Sequence, residues 1–296
     1  MDSVIAIDLG GTKLCVAVVD RGGNVLWRKK LPVANESSAA TIEQLVQVIR
    51  EAETAFPASR NNSRPAGIIV PGIYFAGTGN AWAPNLWGRE EVPLRSELED
   101  RLKLRIAIDS DRAGYVLGER WLGAARGLND VVFLAVGTGI GAGIVAGGQL
   151  LRGHSDIAGA VGWFALNPSR SEIYTQVGCW EAEGAGPGLA RRLGVVSAEQ
   201  VISAARRGDP AAIEAIEQSA RYLGMGIANI VSILNPEMIV LGGGLMQAAD
   251  LFLDSIRRVM TRCAQPIAAR QVRIEVSRLG EDAGLLGAAR LAFDHI

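Results

Sequence analysis

The residues best suited to chemistry lie in the run DLGGTK, which begins at Asp8 and follows an apolar segment. Apolar segments on both sides predict two strands joined by a tight turn. Gly10 and Gly11 would let backbone N–H groups approach a phosphate, and Thr12 and Lys13 add a hydroxyl and a positive charge. The run lacks the spacing and the following helix of a Walker P-loop. An ordinary hairpin, with Asp8 capping its own turn, is the structural alternative.

Two further glycine loops, 137–143 and 242–244, follow predicted strands. Three such loops in one chain predict a nucleotide held between two lobes, with the third loop opening a helix beside it. The residues predicted to contact the nucleotide in these loops are Thr138, Gly139, Gly242 and Gly243. Asp8 would then lie near the Mg²⁺ that accompanies the phosphates, because this cation prefers carboxylate, water and phosphate oxygens.

Asp111 is the candidate catalytic base. It follows the predicted strand 106–108 and precedes the predicted helix 113–123. Phosphoryl transfer to an alcohol needs a carboxylate that accepts the hydroxyl proton and orients the oxygen. Asp109 lies two residues earlier and would point the same way on an extended strand. The structural alternative is that Asp111 caps the helix, a role that aspartate fills well.

The predicted elements alternate between strands and helices, which indicates an α/β fold. The order strand, glycine loop, strand, Gly-Gly turn and strand occurs twice, in 4–29 and in 131–152, and predicts a duplicated, two-lobed architecture. Further predicted strands are 67–70, 237–241 and 272–276. Further predicted helices are 39–55, 96–102, 185–193, 197–207, 211–234, 248–263 and 284–293.

Composition excludes several classes of protein. The 296 residues carry 30 Lys+Arg against 31 Asp+Glu, a net charge of -1, so no basic excess exists to bind a nucleic acid. No apolar stretch reaches membrane-spanning length, and we expect neither a membrane nor a nucleic-acid partner. The three cysteines lie far apart, and a strand begins after Asp2, so we expect a cytoplasmic protein without a signal peptide. Only two histidines are present, which favours carboxylate chemistry.

Together these segments resemble the ROK family of sugar kinases and sugar-responsive repressors, in the actin/hexokinase-like superfamily. The resemblance runs in order along nearly the whole chain. Its segments are DLGGTK at 8–13, GIIVPG at 67–72, APNL at 83–86, SD at 110–111, LGE at 117–119, GTGIGAG at 137–143, GCWE at 178–181, LNPE at 234–237, VLGGG at 240–244 and DAGLLGA at 282–288.

The resemblance implies a two-lobed actin-like (ribonuclease H-like) ATPase fold with a cleft for nucleotide and sugar. The lobes would comprise 1–115, completed by the C-terminal helix 284–296, and 116–283. It further implies transfer of the ATP γ-phosphate to a hexose hydroxyl, usually O6, with Mg²⁺, in a homo-oligomer such as a dimer. In this chain the family's base corresponds to Asp111, and its sugar-contacting residues to Gly72, Asn85, Ser110, Asp111 and Glu181.

The chain departs from the family pattern on the sugar side. Ser110 replaces the family's Asn, and Ala160-Val-Gly-Trp163 replaces its Glu-x-Gly-His, in which both Glu and His contact the sugar. The family's zinc ligands correspond here to Trp163, Glu172, Tyr174 and Cys179. Zinc needs four ligands, so we predict no structural zinc. Trp163 would instead fill the vacated space together with Tyr174, or pack against the sugar ring.

Three hypotheses follow from these departures. The first is an ATP-dependent hexose kinase of glucokinase type. The second is a kinase for fructose, mannose or an N-acetylhexosamine, because lost hydrogen bonds to substrate hydroxyls change specificity. The third is a non-catalytic sugar sensor, since the sugar side is altered while the phosphate side keeps its residues.

Overall fold

The computed structural model describes residues 2–57 and 64–295. The strands are β1 (Ser3–Leu9), β2 (Lys13–Asp20), β3 (Val25–Pro32), β4 (Ala66–Val70), β5 (Ile73–Phe75), β6 (Asn80–Trp82), β7 (Glu91–Val92), β8 (Ile106–Ser110), β9 (Val131–Val136), β10 (Ile140–Ala146), β11 (Gln149–Leu150), β12 (Met238–Gly242) and β13 (Arg273–Val276). The α-helices are α1 (Ser38–Ala55), α2 (Pro84–Trp87), α3 (Leu94–Leu102), α4 (Asp111–Leu122), α5 (Glu172–Val177), α6 (Cys179–Gly184), α7 (Gly186–Leu193), α8 (Ala198–Arg206), α9 (Pro210–Leu234), α10 (Leu253–Cys263), α11 (Pro266–Gln271) and α12 (Ala283–Asp294).

The chain divides into two compact units. The first comprises Met1–Arg126, Arg152–Ile157 and Glu281–Ile296, and the second comprises Gly127–Leu151 and Ala158–Gly280. The first unit runs past residue 115, where the sequence predicted a lobe boundary, because α4 continues unbroken to Leu122. The predicted α/β class is confirmed, since each unit combines helices with a sheet of five strands.

The two sheets have the same internal order. The first runs β3-β2-β1-β4-β8 and the second runs β11-β10-β9-β12-β13. In each, an antiparallel three-strand meander continues into two strands parallel to its first strand. The predicted duplication is therefore confirmed at the level of strand topology.

The parallel strands of the first sheet end at one common edge. In the register of β1, β4 and β8, Asp8 pairs with Ile69, which in turn pairs with Asp109. Nearly every residue of these strands is buried, as expected for a sheet covered on both faces. Because parallel strands share one carboxyl edge, the turn after β1, the loop after β4 and the start of α4 emerge side by side.

A small sheet of order β5-β6-β7 and the short helix α2 were not predicted. Their segments of two to four residues are too short to show a hydrophobic period. They support the loop after β4. Gly72 has a φ of +107°, and a Cβ there would lie 2.3 Å from the carbonyl oxygen of Trp82. Only glycine fits at this contact.

One predicted helix differs from the structure. The segment 248–263 forms an α-helix only from Leu253, and a 3₁₀ segment, Gly244–Leu251, precedes it. Ala248 interrupts the 3₁₀ segment with non-helical angles (φ −107°, ψ 31°). The third glycine loop therefore opens a 3₁₀ turn rather than an α-helix. The apolar spacing of both segments is similar, so the sequence did not reveal the kink.

Across residues 2–57 and 64–295, no helix has the length and apolarity needed to cross a bilayer.

Close glycine contacts pack α12 against α4 and β4. A Cβ on Gly287 would lie 1.8 Å from the carbonyl oxygen of Gly114, and one on Gly118 would lie 2.3 Å from that of Ala283. A Cβ on Gly67 would similarly lie 1.9 Å from the carbonyl oxygen of Ala288. These backbone-to-backbone contacts leave no space for a methyl group, so the glycines set how near the two helices approach the sheet.

Replacement of Gly287 tests this packing. Gly287→Ala should destabilise the protein by about 3 kcal/mol, because the new methyl group meets a backbone carbonyl that cannot move alone. Urea denaturation would measure the change. Gly77→Ala is the matched control, since a Cβ at Gly77 meets nothing within 4 Å. Equal stability of the two variants would show that α12 shifts freely.

Candidate functional site

The DLGGTK run forms the predicted hairpin turn between β1 and β2. The backbone N–H of Gly10 donates to the carbonyl oxygen of Lys13 at 2.9 Å and closes the turn. Thr12 and Lys13 are exposed. A Cβ on Gly11 would meet no atom within 4 Å, so the space above the turn is open. This open, glycine-lined turn with a free hydroxyl and an ammonium group fits a phosphate.

Asp8 lies directly before this turn, and within the described residues its carboxylate has no hydrogen-bond or ion-pair partner. The turn is closed by Gly10, so the alternative that Asp8 caps it is not supported. Burial and, to a smaller extent, the nearby Asp111 carboxylate raise the pKa of Asp8 to about 7, while Lys30 opposes the rise. Gly284 lies beside this carboxylate. A Cβ on Gly284 would be only 2.5 Å from Oδ2 of Asp8, so the carboxylate fits here because residue 284 has no side chain. An unpartnered carboxylate of this kind suits a cation.

Asp111 is the first residue of α4 and does not cap it. The cap is Ser110, whose hydroxyl oxygen accepts the backbone N–H of Ala113 at 3.3 Å. The alternative that Asp111 is the N-cap is therefore wrong. Burial raises the pKa of Asp111 to about 6, and the adjacent Arg112 guanidinium partly opposes this rise. Oδ1 of Asp111 accepts the neighbouring backbone N–H of Arg112 at 2.7 Å. Its carboxylate thus has the basicity of a proton acceptor near neutral pH.

Asp109 has a different environment from Asp111. Its Oδ2 accepts two hydrogen bonds from Arg152, from Nε at 3.0 Å and from Nη2 at 2.6 Å. Its Oδ1 accepts the backbone N–H of Ser110 at 2.8 Å. Burial raises the pKa of Asp109, while Arg152 opposes the rise. Asp109 is thus fully engaged in holding the backbone before Asp111. No local pattern pointed to Arg152, because it lies 43 residues further along the chain.

In the second unit the two glycine loops lie next to each other. Gly137 donates its N–H to the carbonyl oxygen of Gly139 at 3.0 Å, and a Cβ on Gly137 would lie 3.5 Å from the backbone nitrogen of Gly244. Gly243 has a φ of +90°, with the backbone of Val136 too close for a side chain. Thr138 is exposed at the tip of its hairpin. The predicted phosphate residues of this unit thus form one glycine-lined surface.

Glu181 contacts the first of these loops. Its Oε2 accepts the backbone N–H of Ile140 at 2.8 Å, and a Cβ on Gly139 would lie 2.7 Å from the same oxygen. Burial raises the pKa of Glu181, and the bond from Ile140 opposes the rise. Glu181 therefore braces the loop that carries Thr138. Its predicted contact with a sugar stays a prediction.

Tyr174, one of the positions that match the family's zinc ligands, belongs to a hydrogen-bonded group of side chains. Tyr174 donates its hydroxyl to Glu183 at 2.6 Å, and Asn167 donates to the hydroxyl oxygens of both Tyr174 and Tyr222. Glu183 is also paired with Arg192. Within 2–57 and 64–295 no group of three or more His, Cys, Asp or Glu residues is suited to a metal ion.

Trp163 does not fill the space of a lost metal. Its exposed fraction is 57%, so the expectation of a core Trp at this position is wrong. The buried aromatic pair of this region is instead Phe164 and Trp180, whose rings stack with centroids 5.6 Å apart. The preceding segment turns Trp163 outward because Val161 and Gly162 occupy the buried positions of the 3₁₀ turn.

The structure collects the predicted residues into two sets, one in each unit. The first set lies at the carboxyl edge of the first sheet, where Gly72 follows β4, Ser110 ends β8 and Asp111 begins α4. Asn85 is exposed on α2 and Ser110 is buried. The second set comprises the glycine loops and Glu181. Arg112 and Arg152, which the sequence did not single out, lie beside the first set.

Removal of the Asp8 charge should stabilise the protein. The folded-state pKa of about 7 exceeds the ordinary value of 3.8, so the folded protein binds more protons than the unfolded chain between these pH values. Ionisation of Asp8 therefore lowers stability as pH rises. Asp8→Asn should raise the unfolding free energy at pH 7.5, without added metal, by about 2 kcal/mol.

Chemical denaturation from pH 5 to pH 8 would measure this effect. The contrast variant is Asp20→Asn, which should destabilise, because the Asp20 carboxylate accepts backbone N–H groups of Gly22 and Asn24 and its pKa is lowered. A loss of stability in Asp8→Asn at pH 7.5 would contradict the assigned burial cost.

Relatives of this chain include both kinases and repressors. The glucokinase of Halalkalibacterium halodurans is 30% identical over 96% of this chain and 92% of its own length. The xylose repressor of Caldicellulosiruptor bescii is 30% identical over 96% of this chain and 76% of its own length. Both kinases and repressors are therefore similar to this chain.

Solved structures give the same result. The ROK hexokinase of Thermus thermophilus matches with a TM-score of 0.86 and 31% identity, over 99% of this chain and 98% of that one. A ROK family glucokinase of Streptomyces griseus, in complex with glucose and AMPPNP, matches with a TM-score of 0.78 and 27% identity, over 99% of both chains. The ROK family model itself matches residues 4–295. The chain belongs to the ROK family, as its ordered motifs predicted.

Proposed function

We propose that the protein is an ATP-dependent hexose kinase, with O6 of glucose as the leading acceptor. The observation that carries the proposal is the Asp111 carboxylate, which is free of the helix cap and has a pKa of about 6. It emerges at the same sheet edge as the open DLGGTK turn. Similarity to the Streptomyces griseus structure, which holds glucose and AMPPNP, supports both the sugar and the nucleotide.

In this proposal the first unit binds phosphate with the turn from Gly10 to Lys13. The second unit contributes Thr138, Gly139, Gly242 and Gly243. Mg²⁺, when bound with ATP, supplies charge neutralisation of the phosphate oxygens. Asp8 fits as its carboxylate ligand, because that side chain is unpartnered and its burial cost falls when a cation is near. Dimerisation belongs to the same proposal and is measurable by light scattering.

The reaction transfers one phosphoryl group. The hydroxyl oxygen of the sugar forms a bond to the γ-phosphorus, the bond from this phosphorus to the β–γ bridging oxygen breaks, and ADP leaves. Asp111 accepts the hydroxyl proton. Gly72, Asn85, Ser110 and Glu181 are the proposed sugar-contacting residues. Ser110 is already engaged as a helix cap, so its hydroxyl hydrogen is what it offers to a sugar.

A kinase for another hexose and a non-catalytic sugar sensor are the competing functions. Ala160 and Trp163 favour altered sugar preference, because the alanine side chain has no polar atom and the indole has one N–H donor and no acceptor. Similarity to a xylose repressor favours the sensor. A coupled ADP-release assay with glucose, fructose, mannose and N-acetylhexosamines separates the kinases. Sugar binding by calorimetry without any ADP release would establish the sensor instead.

Replacement of the base tests the catalytic assignment. Asp111→Asn should lower kcat by roughly 10²–10⁴, because the amide cannot accept the hydroxyl proton. In the unaltered protein, kcat/KM should fall about tenfold per unit below pH 6, since protonated Asp111 is inactive. Asp100→Asn, on an exposed helix end, is the control. Near-normal turnover of Asp111→Asn would remove Asp111 from the mechanism.

The phosphate turn is tested by Gly11→Ala. The new methyl group meets no protein atom, so stability should stay unchanged. ATP affinity should fall by about tenfold or more, because the methyl group occupies the space through which a phosphate approaches the backbone. Calorimetric titration with AMPPNP would measure this, with Gly77→Ala as control. Unchanged affinity would place the phosphates away from this turn.

A further inference from the structure

Arg112 has a side chain that the proposed reaction does not use. It is the second residue of α4, directly after the base Asp111, and it is half-buried. Among the described residues its guanidinium forms no salt bridge, although its charge acts on the adjacent Asp111 carboxylate. Its single hydrogen bond is a long one, 3.5 Å from Nη2 to the carbonyl oxygen of Gly72. A guanidinium has five N–H donors, so most of its capacity to bind an acceptor is unused.

The position of the guanidinium favours the acceptor side of the site. Gly72 follows β4, and Ser110 and Asp111 lie where β8 meets α4, whereas the phosphate turn follows β1. Gly72 is held against Trp82, just before α2 and its exposed Asn85. The contact from Arg112 to Gly72 therefore directs the positive charge toward the loops proposed to bind the sugar.

The charges at this edge of the first sheet point the same way. Asp8 and Asp111 lie there without a salt bridge among the described residues, and an anionic substrate would need a cation to offset them. A half-buried guanidinium provides two parallel N–H groups, which match a carboxylate or a phosphate.

We propose that Arg112 binds an anionic group on the acceptor, a carboxylate or a phosphate monoester, so that the preferred substrate is an acidic sugar with a free primary hydroxyl. This inference rests on the proposed kinase function and narrows its substrate class. The chemistry of transfer is unchanged: the primary hydroxyl oxygen bonds the γ-phosphorus, ADP leaves, and the proton passes to Asp111. The anionic group takes no part in bond formation.

Matched pairs of acceptors test the inference. Glucose 1-phosphate is compared with methyl α-glucoside, and gluconate with glucitol, because each pair differs mainly in one charged group and all four retain a primary hydroxyl. The phosphate and carboxylate pairs distinguish the two kinds of anion. We expect kcat/KM to favour the acidic member of at least one pair by about ten- to a hundredfold, the range of a charge-assisted hydrogen bond.

Arg112→Gln should abolish this preference, bringing the ratio within the pair to about one. The control is Arg105→Gln, which removes the same charge from an exposed residue before β8, at the opposite end of the strand from Asp111. Arg105→Gln should keep the preference. Three results would overturn the inference: preference for the neutral member in both pairs, an unchanged ratio in Arg112→Gln, or an equal fall of kcat for all acceptors. The last result would assign Arg112 to the transferred phosphoryl group.

Binding measurements keep the inference separate from the kinase proposal. Calorimetric titration of the same four compounds in the presence of AMPPNP needs no turnover. If no compound and no hexose is phosphorylated, the kinase proposal fails. Tighter binding of an acidic member that is lost in Arg112→Gln still supports the anion site in that case, and equal binding of the acidic and neutral members overturns it.

Discussion

The contact of α12 with α4 and β4 is the constraint on which the first unit depends. Glycines on both helices bring backbone against backbone, so that a single methyl group at Gly287 would overlap the carbonyl of Gly114. The same helix leaves space beside Asp8 by presenting Gly284. Because α4 begins at Asp111, the packing that positions this helix also positions the proposed base. Stability and the site are thus coupled through glycines that carry no chemistry themselves.

The site places acidic groups where burial opposes their ionisation. Burial raises the pKa values of Asp8, Asp109 and Asp111, but only Asp109 has an ion pair, with Arg152, that opposes the rise. Two carboxylates without ion pairs at one sheet edge destabilise the fold when no ligand is bound. Such destabilisation is typical of sites where a ligand or a reaction compensates it. The contrast with Asp109 is instructive, because only two residues separate it from Asp111. Asp109 has a structural role, fixing the backbone of Ser110 through Arg152.

The second unit is stabilised by hydrogen bonds and aromatic stacking in the region of the family's zinc motif. Where the family pattern has metal ligands, this chain has a hydrogen-bonded group centred on Tyr174, Glu183 and Asn167, next to the stacked pair of Phe164 and Trp180. Hydrogen bonds among these polar side chains stabilise the region. They also fix the orientation of each side chain, because each bond requires its own geometry. Glu181 then connects the region to the glycine loop at Ile140. The glycine loop 137–143, which is proposed to contact phosphate, is therefore held by Glu181, a residue next to the altered zinc motif.

The sequence by itself determined the α/β class, the duplicated order of strands and the three glycine loops, because these depend on local periodicity and on glycine spacing. It also ranked Asp8 and Asp111 as the acidic residues of interest. Tertiary structure alone decided which aspartate is engaged and which is free, since Arg152 reaches Asp109 across a separation that no local pattern encodes. It also decided that Ser110 caps α4, that Trp163 faces outward and that the segment before α10 is kinked. These three features depend on which surfaces pack together in the folded chain. The hydrophobic pattern of a short segment is the same whether the segment is buried or exposed, so the sequence does not reveal them.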